Sequence, residues 1–137
     1  MIKLYLCGPM SGLPEYNYPA FQSAASQLRM AGYDVFNPTE NGLPADAPWT
    51  QHMRADIINL MTCQAVALLP NTEKSRGAQL ELHNALELGM PVASVTTWLG
   101  FIEPVVAIKD SLMQAVEVLL SAHEACSKPA QPEPPHV

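Results

Sequence analysis

The chain has 137 residues and a hydrophobic fraction of 48%, enough for one domain with a core of its own. Its formal net charge of -6 speaks against a nucleic-acid polymer as partner, because phosphate binding calls for a basic face. No run approaches the roughly 18 apolar residues of a membrane span, and the first residues read as a strand rather than as a signal peptide.

In chain order, Ile2 to Leu6 forms the first strand. It stops at Gly8-Pro9, and "MSGLPEYNY" follows, about ten residues of loop where a strand feeding a helix could turn with far fewer. A helix runs from Tyr18 to Ala31. Pro19 is tolerated in its first turn, Phe21, Ala24, Ala25 and Leu28 share one face, and Gly32 ends it. A short strand, Tyr33 to Phe36, leads into a second long loop, "NPTENGLPADAP". Trp49 to Met61 is helical, with Met53, Ile57, Leu60 and Met61 on one side. Gln64 to Leu69 is a continuous apolar run fit for a buried parallel strand. After a third loop, Arg76 to Leu88 is a helix closed by Gly89, and Pro91 to Val95 is a fourth strand. "TTWLGFIEP" is expected to be irregular, Ile108 to about His123 to be a last amphipathic helix, and the Pro-rich end to be disordered.

This order predicts an α/β fold, a three-layer Rossmann-like or flavodoxin-like parallel sheet flanked by helices. The domain is expected over residues 1–126 and the tail over 127–137. Such sheets bind ligands beyond the carboxyl ends of their strands. The long loops all follow strands, which places the opening loop on the edge where a site would form.

Cys7, Cys63 and Cys126 are odd in number and far apart, with neither a disulfide framework nor a metal-ligand spacing. They read as small apolar residues of a reduced, cytoplasmic protein. Nothing in the sequence demands a metal or another cofactor.

Two carboxylates stand on apolar helix stripes. In "SRGAQLELHNALELG" the core stripe is Ala78, Leu82, Ala85 and Leu88, and Glu81 lies on it. Either the site uses this desolvated carboxylate, or backbone donors or a tyrosine hydroxyl satisfy it as a structural group. In "WTQHMRADIINLM", Asp56 shares a stripe with Met53 and Leu60, in mid-helix rather than at a cap. It is either the second carboxylate of a pair acting on a glycosidic bond or a partner of the opening loop. "NTEKSRGA" sets Ser75, Arg76 and Gly77 at a helix start, which reads as an anion seat or as an ordinary cap. His52 and Asp56, at i and i+4, are a catalytic neighbour pair or a surface pair, and Trp49 and Trp98 wall a base pocket or pack; the surface pair and packing are the favoured readings.

"YLCGPMSG", "RADIINLMTCQAVALLP" and "SRGAQLELHNALELGMPV" together resemble the nucleoside 2-deoxyribosyltransferase-like superfamily, over about residues 2 to 95. "GPMSGLPEYNYPAF" is similar to its DUF4406 branch, frequent in phages and prophages. The resemblance implies three catalytic residues: Glu81 as nucleophile, Asp56 as the residue that contacts and helps protonate the base, and Tyr5 as the residue that steadies the nucleophile. It implies that Ser75, with Arg76 and Gly77 beside it, holds the sugar's 5' side, and that Gly8, Pro9 and Met10 line the base or sugar pocket. Tyr16 and Tyr18 of the long loop would add stacking faces or hydroxyls. Gln64 departs from the pattern, standing where many relatives carry Asp.

The expected partner is a small nucleoside or nucleotide, and a homo-oligomer is implied by the resemblance. The function expected is cleavage or base exchange at the N-glycosidic bond of a 2'-deoxynucleoside or its 5'-monophosphate. The alternative is a protein that binds a nucleotide signal without turning it over; base release from a panel of deoxynucleosides separates the two.

Overall fold

Four of the five residues of the strand Lys3–Cys7 (β1) are buried, as in a central strand covered on both faces. The computed structural model describes the backbone of residues 1–127 and the side chains of residues 1–101 and 110–126. The helix Tyr18–Met30 (α1) follows β1 and buries Phe21, Ala24, Ala25 and Leu28. The strand Asp34–Phe36 (β2), the helix Trp49–Met61 (α2), the strand Ala65–Leu68 (β3), the helix Arg76–Glu87 (α3) and the strand Val92–Ser94 (β4) complete the alternation. The sheet is parallel throughout, in the order β2-β1-β3-β4, with Leu4 paired to Val35 on one side and to Ala65 on the other. This is the expected α/β fold, a Rossmann-like parallel sheet flanked by helices.

The chain leaves β1 in one direction to reach β2 and crosses back past β1 to reach β3. Right-handed crossovers therefore put α1 on one face and α2 and α3 on the other. Tyr5, Cys7 and Val66 point to the second face, where they meet Leu60 of α2 and Ala78 and Ala85 of α3. Leu4 and Leu6 alternate to the first face. The strand order reverses between β1 and β3, so the crevice above their carboxyl ends is where such a fold receives a ligand.

Gly8 is required by that crossing. A Cβ there would stand 2.8 Å from the Leu69 Cβ, so only glycine lets the chain leave β1 against the end of β3. The opening loop then makes a tight left-handed turn: Glu15, Tyr16 and Asn17 have φ of 52°, 52° and 61°. Such backbone is unfavourable for residues with a Cβ, least so for Asn. The Asn17 amide donates to the Pro9 carbonyl at 2.9 Å and ties the turn to its own base. The second loop is held by Arg29, which pairs with Glu40 at 3.0 Å and also donates to the Val35 carbonyl.

Three expectations are corrected. "TTWLGFIEP" is helical: Val95–Gly100 forms α4, and Ile102–Ser127 forms α5, six residues earlier in its start than the periodicity predicts. The Ser94 hydroxyl caps α4 by accepting from the Thr97 N–H at 3.1 Å, and Pro104 falls in the first turn of α5, where a backbone N–H has no intrahelical partner to lose. Leu88 is 61% exposed, since the helix ends before it. Met61 is 46% exposed, since it sits one residue round the helix from the buried Leu60.

Contacts divide the chain into Met1–Phe101 and the residues from Ile102 onward. In the second unit, Leu112, Met113, Val116, Leu119 and Leu120 of α5 are exposed. Residues 128–137, on which most of the expected tail falls, lie outside the described residues. No helix among the described residues is long and apolar enough to cross a membrane.

Candidate active site

A cavity of about 240 Å³ opens above the carboxyl ends of β1, β2 and β3. Gly8, Met10 and Ser11 come to it from the loop after β1, Pro38 from the loop after β2, and Lys74 to Gly77 from the loop after β3 and the start of α3. Trp49, His52, Met53 and Asp56 face it from α2, and Glu81 from α3.

Glu81 is 6% exposed. The Ala78-Glu81-Ala85 stripe that buries α3 carries the carboxyl against the sheet, where the Tyr5 hydroxyl of β1 donates to Oε1 at 2.8 Å. The Cys7 thiol, which donates to the Ala78 carbonyl, lies beside the same carboxyl. Burial pushes the Glu81 carboxyl up to about 8; the Tyr5 hydrogen bond pulls it down, and the negative charge of Asp56 pushes it up again. Tyr5 itself is held neutral, by burial first and then by the charge of Glu81.

Asp56 is 5% exposed and accepts at Oδ1 from the Asn41 amide, 3.0 Å away. Burial raises its carboxyl, while the Asn41 bond and the nearby His52 hold it down. The two carboxyls thus line one cavity, and the charge of Asp56 bears on Glu81.

At the rim, the Ser75 hydroxyl caps α3 by accepting from the Ala78 N–H at 3.3 Å. The Arg76 guanidinium lies 4.2 Å from the centre of the Trp49 ring, a cation–π contact. Gly77 lets the start of α3 come close to α2, since a Cβ there would meet the Met53 sulfur at 3.1 Å. Neither Lys74 nor Arg76 forms an ion pair among the described residues, and both bring positive charge to the cavity rim. No group of three or more His, Cys, Asp and Glu side chains among the described residues could hold a metal ion.

Of the residues read from the sequence, Glu81, Asp56, Gly8, Met10, Tyr16, Tyr18, Ser75, Arg76 and Gly77 all line this cavity. Tyr5 stands behind Glu81 rather than in the cavity. Pro9 does not line it; its carbonyl is engaged by Asn17. Two readings are corrected. His52 is half-buried in the cavity wall and bonded to Asn41, with no direct bond to Asp56. Trp49 is a wall of the cavity as well as a packing residue, whereas Trp98 packs on Tyr33 and donates to the Val66 carbonyl. Asn41 went unread. It shows in the sequence only as the first half of an Asn-Gly turn, and its partner Asp56 is 15 residues away.

Residues 2–94 match the family described as a domain of unknown function, DUF4406. The chain belongs to the DUF4406 family. No curated protein matches it. Among solved structures, a 2-deoxyribosyltransferase from the psychrotolerant bacterium Bacillus psychrosaccharolyticus is similar at 26% identity and a TM-score of 0.54, over 66% of this chain and 69% of that one. The DUF4406 chain is thereby nucleoside deoxyribosyltransferase-like in fold, as its three sequence stretches lead one to expect.

Proposed function

We propose that this DUF4406 protein breaks the N-glycosidic bond of a 2'-deoxynucleoside or its 5'-monophosphate, by hydrolysis or by exchange of the base. The observation that carries the reading is the Glu81 carboxyl: buried, held at one oxygen by Tyr5, and facing a cavity that Asp56 also faces. Burying an acid this deeply lowers stability, and such a group is common where chemistry uses it. The similarity to a 2-deoxyribosyltransferase supports the same class of substrate.

The reactive form has one proton on the pair; Glu81, the more strongly raised, holds it at rest, and the minor form with the charge on Glu81 and the proton on Asp56 is the one that reacts. A Glu81 oxygen attacks the anomeric carbon as the bond to the base breaks. The bonding electrons leave with the base, and Asp56 delivers its proton to it. The ester between Glu81 and deoxyribose is then opened by water, or by a second base in exchange. Asp56 takes up the proton released in that step, and Glu81 returns as carboxylate. Tyr5 keeps its hydrogen bond to Glu81 throughout and favours the charged form. Lys74, Ser75 and Arg76 seat the 5' side, where a phosphate meets their positive charge and the start of α3. The exposed apolar residues of α5 support a homo-oligomer, which sedimentation tests, and the three unpaired cysteines support a cytoplasmic protein.

The test is incubation with a panel of deoxynucleosides and their monophosphates, with free base read by chromatography. Base release by the wild type that Glu81→Gln abolishes is the expected result. Tight binding without base release sinks the enzyme reading in favour of a nucleotide-binding protein.

A further inference from the structure

The second loop is fastened to α2 through one side chain. The Asn41 amide nitrogen lies 3.0 Å from Asp56 Oδ1 and 3.0 Å from His52 Nδ1. The Asn41 oxygen accepts from the Leu43 N–H at 3.0 Å. His52 Nε2 lies 2.9 Å from the Pro44 carbonyl oxygen.

With one hydrogen on the His52 ring, these four contacts fit one assignment. A carbonyl oxygen only accepts, so Nε2 carries a hydrogen, and in the tautomer with that hydrogen alone Nδ1 offers a lone pair. Asn41 must therefore turn its nitrogen toward His52, and the Leu43 N–H requires its oxygen on the other side. Both amide hydrogens are then spoken for, one by His52 and one by Asp56. Flipping the amide would set its oxygen against a lone pair and a carboxylate, and its nitrogen against an N–H.

The consequence lies on Asp56. Oδ1 is occupied as an acceptor, so a proton on this carboxyl belongs on Oδ2. Among the described residues Oδ2 has no hydrogen-bond partner, yet no buried side-chain oxygen is unpartnered, so Oδ2 is open to the cavity. We propose that Asn41 is a positioning residue for Asp56: it dictates which carboxyl oxygen carries the proton and turns that oxygen toward the departing base. This rests on the glycosidic reading of the site. Asn41 also anchors the loop whose Ala45 and Ala47 form a cavity wall, so loss of kcat alone would not separate positioning from a collapsed wall.

The pH profile separates them. The groups that bear on Asp56 are His52 on its own helix, Asn41 on the loop, Glu81 on α3 and Tyr5 on β1. With one proton needed on the pair, the acid limb of kcat/KM reports Asp56 and the basic limb Glu81. Asn41→Ala removes a bond that holds the Asp56 carboxyl down, so the acid limb moves to higher pH while the basic limb stays. The expected kcat is about tenfold lower, as for a displaced catalytic group, with KM within about twofold. An acid limb that stays in place in a folded Asn41→Ala overturns the proposal.

A second measurement needs neither activity nor the variant. In wild-type protein, the Asn41 side-chain amide hydrogens and the Asp56 carboxyl carbon, followed by NMR, are expected to titrate with a common midpoint. Different midpoints overturn the proposal even if Asn41→Ala fails to fold. If the wild type releases no base, the glycosidic reading falls and the proton-delivery role falls with it, while the NMR result still decides whether Asn41 holds the carboxyl.

Discussion

Glu81→Gln should make the protein more stable, and more so as the pH rises. In the unfolded chain the Glu81 carboxyl has its ordinary value of 4.5, and in the folded chain burial pushes it up to about 8. The folded value is the higher one, so Glu81 does no harm below about pH 4.5, where both states hold the proton. Above that the unfolded chain releases a proton that the folded chain keeps, and stability falls by about 1.4 kcal/mol per pH unit until the folded carboxyl also ionises. The whole loss is about 5 kcal/mol, of which about 3 kcal/mol falls between about pH 5.5 and 8.5. Glutamine keeps an acceptor for the Tyr5 hydroxyl but has no proton to release, so this part of the slope vanishes. Asp56 is raised as well and tilts both proteins in the same sense, which cancels in the comparison. The assay is urea denaturation of both proteins across this pH range, followed by tryptophan fluorescence. Denaturation midpoints of wild type and Glu81→Gln that run parallel with pH would refute the claim that Glu81 is a desolvated acid.

Tyr5→Phe removes a hydrogen bond that pulls the Glu81 carboxyl down, so the basic limb of the activity profile is expected to move to higher pH; a limb that stays put means that Tyr5 does not set the charge of the Glu81 carboxyl. Ser75→Ala and Arg76→Ala are expected to reduce use of deoxynucleoside monophosphates by about tenfold, in line with the loss of one charge-assisted hydrogen bond, and use of nucleosides by far less. Equal effects on both substrates, read from kcat/KM, remove the phosphate seat. Gly8→Ala is expected to destabilise the fold by about 1–3 kcal/mol, because its Cβ would stand 2.8 Å from that of Leu69. An unchanged melting temperature would show that β1 can leave the sheet by another path.

How far the sequence could be read depended on the range of the interactions. The helix periodicity that put Phe21, Ala24, Ala25 and Leu28 in the core also put Asp56 and Glu81 on buried faces, because a helix face is a local property. The same rule misled at Leu88 and Met61, where it was extended past the end of a helix or widened to its neighbouring face. α4 was missed because Thr96, Thr97 and Gly100 are poor helix formers, and only the Ser94 cap and the docking of Trp98 compensate for them. Tyr5 came from a resemblance alone: no local pattern tells which residue of a central strand will meet a carboxyl on a later helix. Asn41, His52 and Pro44 form a network of loop and side chain, and its geometry exists only once the loop is folded.

The Tyr5–Glu81 hydrogen bond joins residues 76 positions apart. On a ribosome adding about 5–20 residues per second, Glu81 is made about 4 to 15 s after Tyr5. For most of that interval β3 has not been made, and the edge of β1 that pairs with it waits for a neighbour. A fragment that ends before Glu81 cannot hold the buried acid in place, so the emerging chain carries no half-built form of the proposed site. Reactivity arrives only with the non-local sheet, the slowest kind of contact to form. Activity regained after dilution from denaturant is then a late clock of folding, and it should lag the recovery of helix signal.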